Sequence, residues 1–229
     1  MLTRESKKRK RGLLAQWVYG SLGYLAYKIM WMLSFPVLKL LFGLEVRNAH
    51  CIPKEGPIIL AANHFSILDP WVLQMAFPRR ITYMVGALFY QGKGAWFYKM
   101  HKAIPVKERG LNKDAFVAGL DVLKDSGVLG IFPEGWEERY DGQLQPGNPG
   151  VAMLSCKSHV PVLPAYISGA NKILPKGSML PRFTKITVTY GEPINFNGAE
   201  RPDKETLRKM TDTIMEGIRK LNHEDNSKN

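Results

Sequence analysis

From about residue 45 onward, short apolar runs alternate with amphipathic segments, and no other feature of this chain restricts its fold as much. Strands that alternate with helices along a sequence bury themselves by pairing into a sheet and accepting the helices as cover. The run at 58–62 reads as a buried strand, 70–76 as a helix and 81–85 as a strand. Residues 112–126 read as a helix with Asn112 as its N-cap and Phe116, Val117, Leu120 and Leu123 on one face. Buried strands at 128–132 and 162–167 flank a helix at 150–158. Residues 186–190 alternate as a half-buried strand does, and Asp203 caps a last helix with Leu207, Met210, Ile214, Ile218 and Leu221 inward. The expectation is one α/β domain over 45–229, its central, largely parallel or mixed sheet flanked by helices. A chain of 229 residues suits one such core plus an appendage.

The appendage is residues 1–44. MLTRESKKRKRG is rich in Lys and Arg, and the thirty or so residues after it are almost free of charge. This apolar stretch outruns the core of a signal peptide and has no clear small-x-small cleavage site, so export is not expected. Lys28, Pro36 and Lys39 interrupt it, whereas a bilayer span wants about twenty unbroken apolar residues. Two short helices, 13–33 and 36–43, are expected to lie in one leaflet. Trp17, Tyr19, Tyr24, Tyr27 and Trp31 would sit at the interface while lysines snorkel to the headgroups. The competing reading is a pair of helices packed on the domain itself.

The formal charge of +12 favours contact with polyanions. Nucleic acid is the less apt partner, because the aromatic residues form an apolar block apart from the basic cluster, not a stacking groove beside it. Two cysteines, Cys51 and Cys156, make no CxxC, and histidines at 50, 64, 101, 159 and 223 lack metal-site spacing. His50-Cys51 has no second ligand pair in sequence. No disulfide framework, metal or bound cofactor is expected.

Functional groups in open α/β sheets collect where strands end and helices begin. His64 stands two residues beyond one expected strand, in AANHFSILDP, and Glu134 two beyond another, in VLGIFPEGWEE. On one continuous helix His64 and Asp69 would be about 140° apart around the axis. They touch only if the chain turns between them, and Asp69-Pro70 favours a turn. The same dipeptide also allows Asp69 to be no more than a helix N-cap.

NHFSILDP, IFPEG and VPVLP, in this order, resemble the glycerolipid acyltransferase family that contains the 1-acylglycerol-3-phosphate acyltransferases. The matching segments are Asn63-His64 to Asp69, Ile104-Pro105-Val106, Phe132-Pro133-Glu134-Gly135 and Val160-Pro161-Val162-Leu163-Pro164. LPKGSMLPR and VTYGEPI extend the likeness to about residues 45–198. The resemblance implies that His64 is the general base that takes a proton from the acceptor hydroxyl, with Asp69 orienting it. It implies substrate contacts at Asn63, Glu134, Gly135 and Pro161, and a phosphate held by cations among Lys107, Arg109 and Arg139. An imidazole is suited to such a base near neutrality, and a carboxylate on its second nitrogen fixes the tautomer, as in a triad whose serine is replaced by the substrate's hydroxyl. There is no Gly-x-Ser-x-Gly elbow.

The sequence departs from the family pattern at both cationic places. Trp136-Glu137 follow Phe-Pro-Glu-Gly where Thr-Arg is common, and Glu108 occupies the place of the arginine after Ile-Pro-Val. Arg109 and Arg139 must then act from shifted positions, or the acceptor differs. Local reading makes Pro161 and Pro164 the limits of an edge strand, and the methionines and tryptophans of 72–100 either line an acyl groove or fill the core.

The expected partners are membrane lipid, a lysophospholipid acceptor and an acyl thioester of coenzyme A or acyl carrier protein, at the cytoplasmic face of a membrane. Glycerol 3-phosphate as acceptor, another lysolipid, or a non-catalytic lipid-binding role are the alternatives.

Overall fold

A computed structural model describes residues 25, 28–91, 95–107, 112–135, 143–173, 182–196 and 202–226. Residues 13–24, 26 and 27 of the helix expected over 13–33 lie outside the described residues, as do Arg109, Arg139 and most of LPKGSMLPR.

The strands are β1 (Glu45–Arg47), β2 (Ile58–Ala62), β3 (Ile81–Gly86), β4 (Ile104–Val106), β5 (Val128–Ile131), β6 (Val162–Ser168) and β7 (Thr187–Tyr190). They form one seven-stranded mixed sheet in the order β1-β7-β6-β2-β5-β3-β4. Only β6 and β7 pair antiparallel, so β1 and β7 run against the other five.

The helices are α1 (28–41), α2 (Asp69–Ala76), α3 (Ala95–Met100), α4 (Lys113–Lys124), α5 (Gly150–Ser158), α6 (Ala170–Ile173) and α7 (Lys204–Asn226). Side chains along a strand alternate between the faces of its sheet, so the all-apolar β2 serves two cores. Ile58, Leu60 and Ala62 join α1, α2 and α6 on one face, whereas Ile59 and Ala61 join α4, α5 and α7 on the other. The chain therefore leaves β2 over one face and leaves its neighbour β5 over the opposite face. The chain paths part between those two strand ends, which is the switch point where α/β sheets take their ligands in a crevice.

Several expectations need correction. Pro36 does not end a helix: α1 runs through it. Pro36 and Met32 are both exposed, so the carbonyl deprived of its N–H partner is not sealed in an apolar core. One face of this segment packs on the domain and the other is exposed apolar surface. Trp31, Phe35 and Phe42 pack against the core and Leu38 is fully buried, while Ile29, Met32, Leu33, Val37, Leu40 and Leu41 are exposed. Lys39 does not reach outward; its Nζ donates to the Leu44 carbonyl at 3.1 Å, holding the negative end of α1.

Asn112 stands at the N-cap of α4 without capping it, because its amide bridges the Lys107 N–H (2.7 Å) and carbonyl (3.0 Å). Of the expected inner face of α4, Phe116, Leu120 and Leu123 do pack on the core, joined by the buried Ala115 and Gly119, while Val117 is exposed. β7 is buried throughout, not half-buried, because α1 and α7 cover its two faces.

Pro161 and Pro164 do not delimit an edge strand either, since β6 lies between β7 and β2. Pro164 is tolerated where the β6–β7 ladder carries an extra residue: Val162 pairs with Ile194, but Ala165 pairs with Tyr190. Met75 is buried, and Trp71 and Met84 pack against the cores, so these side chains fill space between elements. Asp203 does cap α7, accepting from the Thr206 N–H at 2.8 Å.

Candidate active site

Three residues past β2 the chain makes a tight turn whose hub is one carboxylate oxygen. Asp69 Oδ2 accepts from the backbone N–H groups of Phe65 and Ser66, each at 2.7 Å, and lies 3.1 Å from Nδ1 of His64. The Leu68 N–H donates to Ser66 Oγ at 3.2 Å, and Pro70 takes an early helical position where no N–H is needed. Asp69 is thus the first residue of α2, not the N-cap, and it holds the loop in front of the helix. The required turn between His64 and Asp69 is present.

Asp69 is 1% exposed and the His64 side chain 23% exposed. Burial pushes the Asp69 carboxyl above its ordinary value, against the pull of the His64 ring and the N–H groups of Ser66 and Phe65. An ionised carboxylate only accepts, so the contact places the imidazole proton on Nδ1 and leaves Nε2 as an acceptor at the crevice.

Glu134 reaches across from the end of β5. Its Oε1 accepts from the His64 N–H and its Oε2 from the Gln145 N–H, both at 2.9 Å. Burial pushes its carboxyl up as well, and those two N–H groups oppose the shift. Both oxygens hold backbone, so Glu134 is a brace between the loops after β2 and β5. Beside it Gly135 is exposed, with φ of 76° and open space where a Cβ would stand.

Phe132 stacks on the His64 ring, with centroids 4.2 Å apart and planes 20° from parallel. Tyr83 stacks on the far side of Phe132 at 6.0 Å and 4°, and its hydroxyl donates to the Pro70 carbonyl at 2.9 Å. Gly130 makes this possible: a Cβ there would sit 2.6 Å from the Tyr83 ring. The sequence reading gave no role to Phe132, Tyr83 or Gln145. Only the Phe-Pro-Glu-Gly segment marks one of them.

Asn63 is held inside the sheet. It is fully buried, and its side chain continues the β2–β6 ladder by donating to the Ile167 carbonyl (2.9 Å) and accepting from the Ile167 N–H (2.7 Å). Pro161 is not brought to the site: it precedes β6, and its carbonyl takes the Ile59 N–H near the start of β2. At about 3.3 Å per residue, the His64 end of that strand is some 15 Å away. Lys107 is exposed just past β4, on the His64 edge of the sheet. The structure therefore gathers His64, Asp69, Glu134 and Gly135, and supports them with aromatic rings and Asn63.

Residues 43–168, more than half of the chain, match the family model described as Acyltransferase. A 1-acyl-sn-glycerol-3-phosphate acyltransferase of Bacillus subtilis (strain 168) is 28% identical over 81% of this chain and 91% of its own length. The protein of that name from Saccharomyces cerevisiae is 26% identical over 92% of this chain and 68% of its own. Among solved structures, the 1-acyl-sn-glycerophosphate acyltransferase PlsC of Thermotoga maritima shares the fold at a TM-score of 0.64 and 24% identity, covering 96% of this chain and 84% of that one. The chain belongs to the Acyltransferase family and is an acyltransferase.

Proposed function

We propose, with acyltransferase family membership as the premise, that this enzyme moves a fatty acyl chain from a coenzyme A or acyl carrier protein thioester to the free hydroxyl of 1-acylglycerol-3-phosphate, giving phosphatidic acid. The observation that carries the chemistry is the His64 Nδ1 to Asp69 Oδ2 contact of 3.1 Å at a crevice between strand ends. The acceptor is taken from the names of the relatives.

In this mechanism His64 Nε2 takes the proton of the acceptor hydroxyl as its oxygen attacks the thioester carbonyl. Asp69, already buried and hydrogen-bonded, balances the imidazolium without moving. The tetrahedral adduct collapses, the C–S bond breaks, and the imidazolium proton passes to the departing sulfur. The carboxylate of Glu134 holds the His64 backbone at the height this transfer needs, and the Phe132 face adds a cation–π contribution once the ring is charged. Lys107, Arg109 and Arg139 are the cations assigned to the acceptor's phosphate.

We assign the enzyme to the cytoplasmic face of a membrane. No helix of the described residues is long and apolar enough to cross one. What supports attachment is the exposed apolar stripe of α1, continued by Phe183, which is 70% exposed and packs on Phe42 at 5.7 Å.

The test is acyl transfer by the purified protein in detergent or liposomes, with both donors and a panel of lysolipid and glycerol phosphate acceptors. His64→Ala should lose at least ~10²-fold in kcat, the scale of a general base, and Asp69→Asn should fall steeply with little change in KM. Transfer that survives His64→Ala would refute the mechanism, and transfer to glycerol 3-phosphate alone would replace the proposed acceptor.

A further inference from the structure

At the sheet edge opposite His64, three side chains of different chemistry converge on one point. β1 leads into a short 3-10 turn, Ala49–Cys51, entered through Asn48, whose left-handed φ of 54° reverses the chain. The Cys51 thiol, 8% exposed, donates to Glu192 Oε1 at 3.2 Å, a contact between residues 141 apart in sequence. His50 stands beside them, and the ligating atoms of His50, Cys51 and Glu192 all lie within 4.8 Å of one another.

Two of the three donors sit on fixed backbone. Cys51 is closed into its turn by an N–H bond to the Asn48 carbonyl and belongs to the core beneath α1 and α2. Glu192 lies on the extra residue's side of the β6–β7 irregularity, between Gly191, whose N–H meets the Pro164 carbonyl, and Ile194, bonded twice to Val162. The His50 and Glu192 side chains are both exposed and have room to adjust around the buried Cys51.

We propose that Cys51, His50 and Glu192 bind a divalent transition-metal ion of borderline softness, with Zn²⁺ the best fit. Around such an ion, bonds of about 2.0–2.3 Å at tetrahedral angles set the donor atoms about 3.4–3.5 Å apart. The Cys51–Glu192 separation of 3.2 Å is within about 0.3 Å of this, and the widest separation in the trio, at most 4.8 Å, needs up to about 1.4 Å of side-chain movement. A thiolate, an imidazole and a carboxylate suit zinc and cobalt and discriminate against magnesium and calcium, which want oxygen only. Binding replaces the thiol proton by the metal, releasing it to solvent, and leaves a fourth position for water.

The site is a clip, remote from the chemistry. It joins the end of β1 to the segment after β7, and so fastens the two strands that run against the rest of the sheet. A metal that binds the folded chain alone raises its stability.

The experiment uses the full chain without an affinity tag, freed of metal by chelator and then titrated with Co²⁺. The expected result is a thiolate-to-cobalt charge-transfer band that Zn²⁺ abolishes, together with a higher Tm on adding Zn²⁺. Cys51→Ser should eliminate the band. Glu192→Gln and His50→Ala should each weaken Co²⁺ binding at least ~10-fold, while Glu192→Gln retains acyl transfer. No charge-transfer band in the wild type, a band that survives Cys51→Ser, or binding indifferent to both Glu192→Gln and His50→Ala would each overturn the site. Circular dichroism of every variant separates loss of a ligand from loss of fold.

Discussion

At the scale of single residues, the working geometry depends on groups that hold His64 and its strand in place. Phe132 is the sharpest case, because it lies flat on the ring proposed to carry the proton. Stacked pairs contribute about 0.5–1.5 kcal/mol beyond burial. Phe132→Leu keeps apolar bulk without the π face, and kcat should fall up to about tenfold with KM for both substrates nearly unchanged. Steady-state kinetics check this, and a rise in KM alone would make Phe132 a substrate-binding residue. Asn63 makes the complementary point. A motif shows that a residue matters without showing why, and here the buried amide continues a ladder where a backbone pair is missing. Asn63→Ala would orphan the Ile167 N–H and carbonyl, at a cost of about 1–3 kcal/mol for each unsatisfied group. A fall in Tm greater than the fall in the specific activity of the remaining folded protein is the expected signature.

At the scale of elements, legibility followed length and apolarity. The bounds of β2 and α5 were readable because an unbroken apolar run and a Gly-to-Ser segment announce them. β1 and β4 were not anticipated: each has three residues, and Pro105 in β4 argues against a strand except at an edge, which is where β4 lies. Within the site, His64 and Glu134 were legible from their places beyond strands, whereas Asp69 stood out from a helix cap only through the family resemblance. The ring stack was not legible, since its three members come from three separate strands, His64 beyond β2, Phe132 beyond β5 and Tyr83 within β3. The ion pairs of β1 were equally invisible. Glu45 meets Arg47 Nε at 2.7 Å and Lys185 Nζ at 2.6 Å, and these hold its carboxyl at about 2, below the usual 4.5. A carboxyl depressed on folding stabilises the fold above its unfolded value, and that contribution is lost as pH falls from about 4.5 toward 2. Glu45→Gln should therefore lower Tm at pH 7 by on the order of 1–3 °C, small because the pair is solvent-screened. The gap from wild type should close near pH 2–3; thermal melts across that range decide it.

At the scale of the whole molecule, α1 and the sheet behave as one piece. The Ile186 N–H bonds the Phe42 carbonyl and the Glu45 N–H bonds the Ile186 carbonyl, so helix and strand order are stitched together at the joint. Leu33 and Leu40, 63% and 81% exposed, lie on the outward face. Leu33→Glu with Leu40→Glu should cut sedimentation with anionic vesicles at least tenfold, since each charge replaces a leucine whose burial in the proposed lipid contact is worth about 1.5–3 kcal/mol. Transfer to a detergent-dispersed acceptor should be retained; unchanged vesicle binding would remove α1 from the membrane contact.

The order in which the chain leaves the ribosome gives the central strand a further meaning. The turn that joins His64 to Asp69 spans five residues and can form early, but its brace arrives 70 residues later with Glu134, and the anchor for Asn63 104 residues later with Ile167. Both lateral partners of β2 are likewise made after it. A nascent chain halted before β6 carries an apolar strand with one open edge, a template for mispairing with its neighbours. Chaperone demand during synthesis should accordingly be greatest between the emergence of residues 62 and 168, and a circular permutant that begins between α2 and β3, and so delivers β2 after β5 and β6, would shift that window.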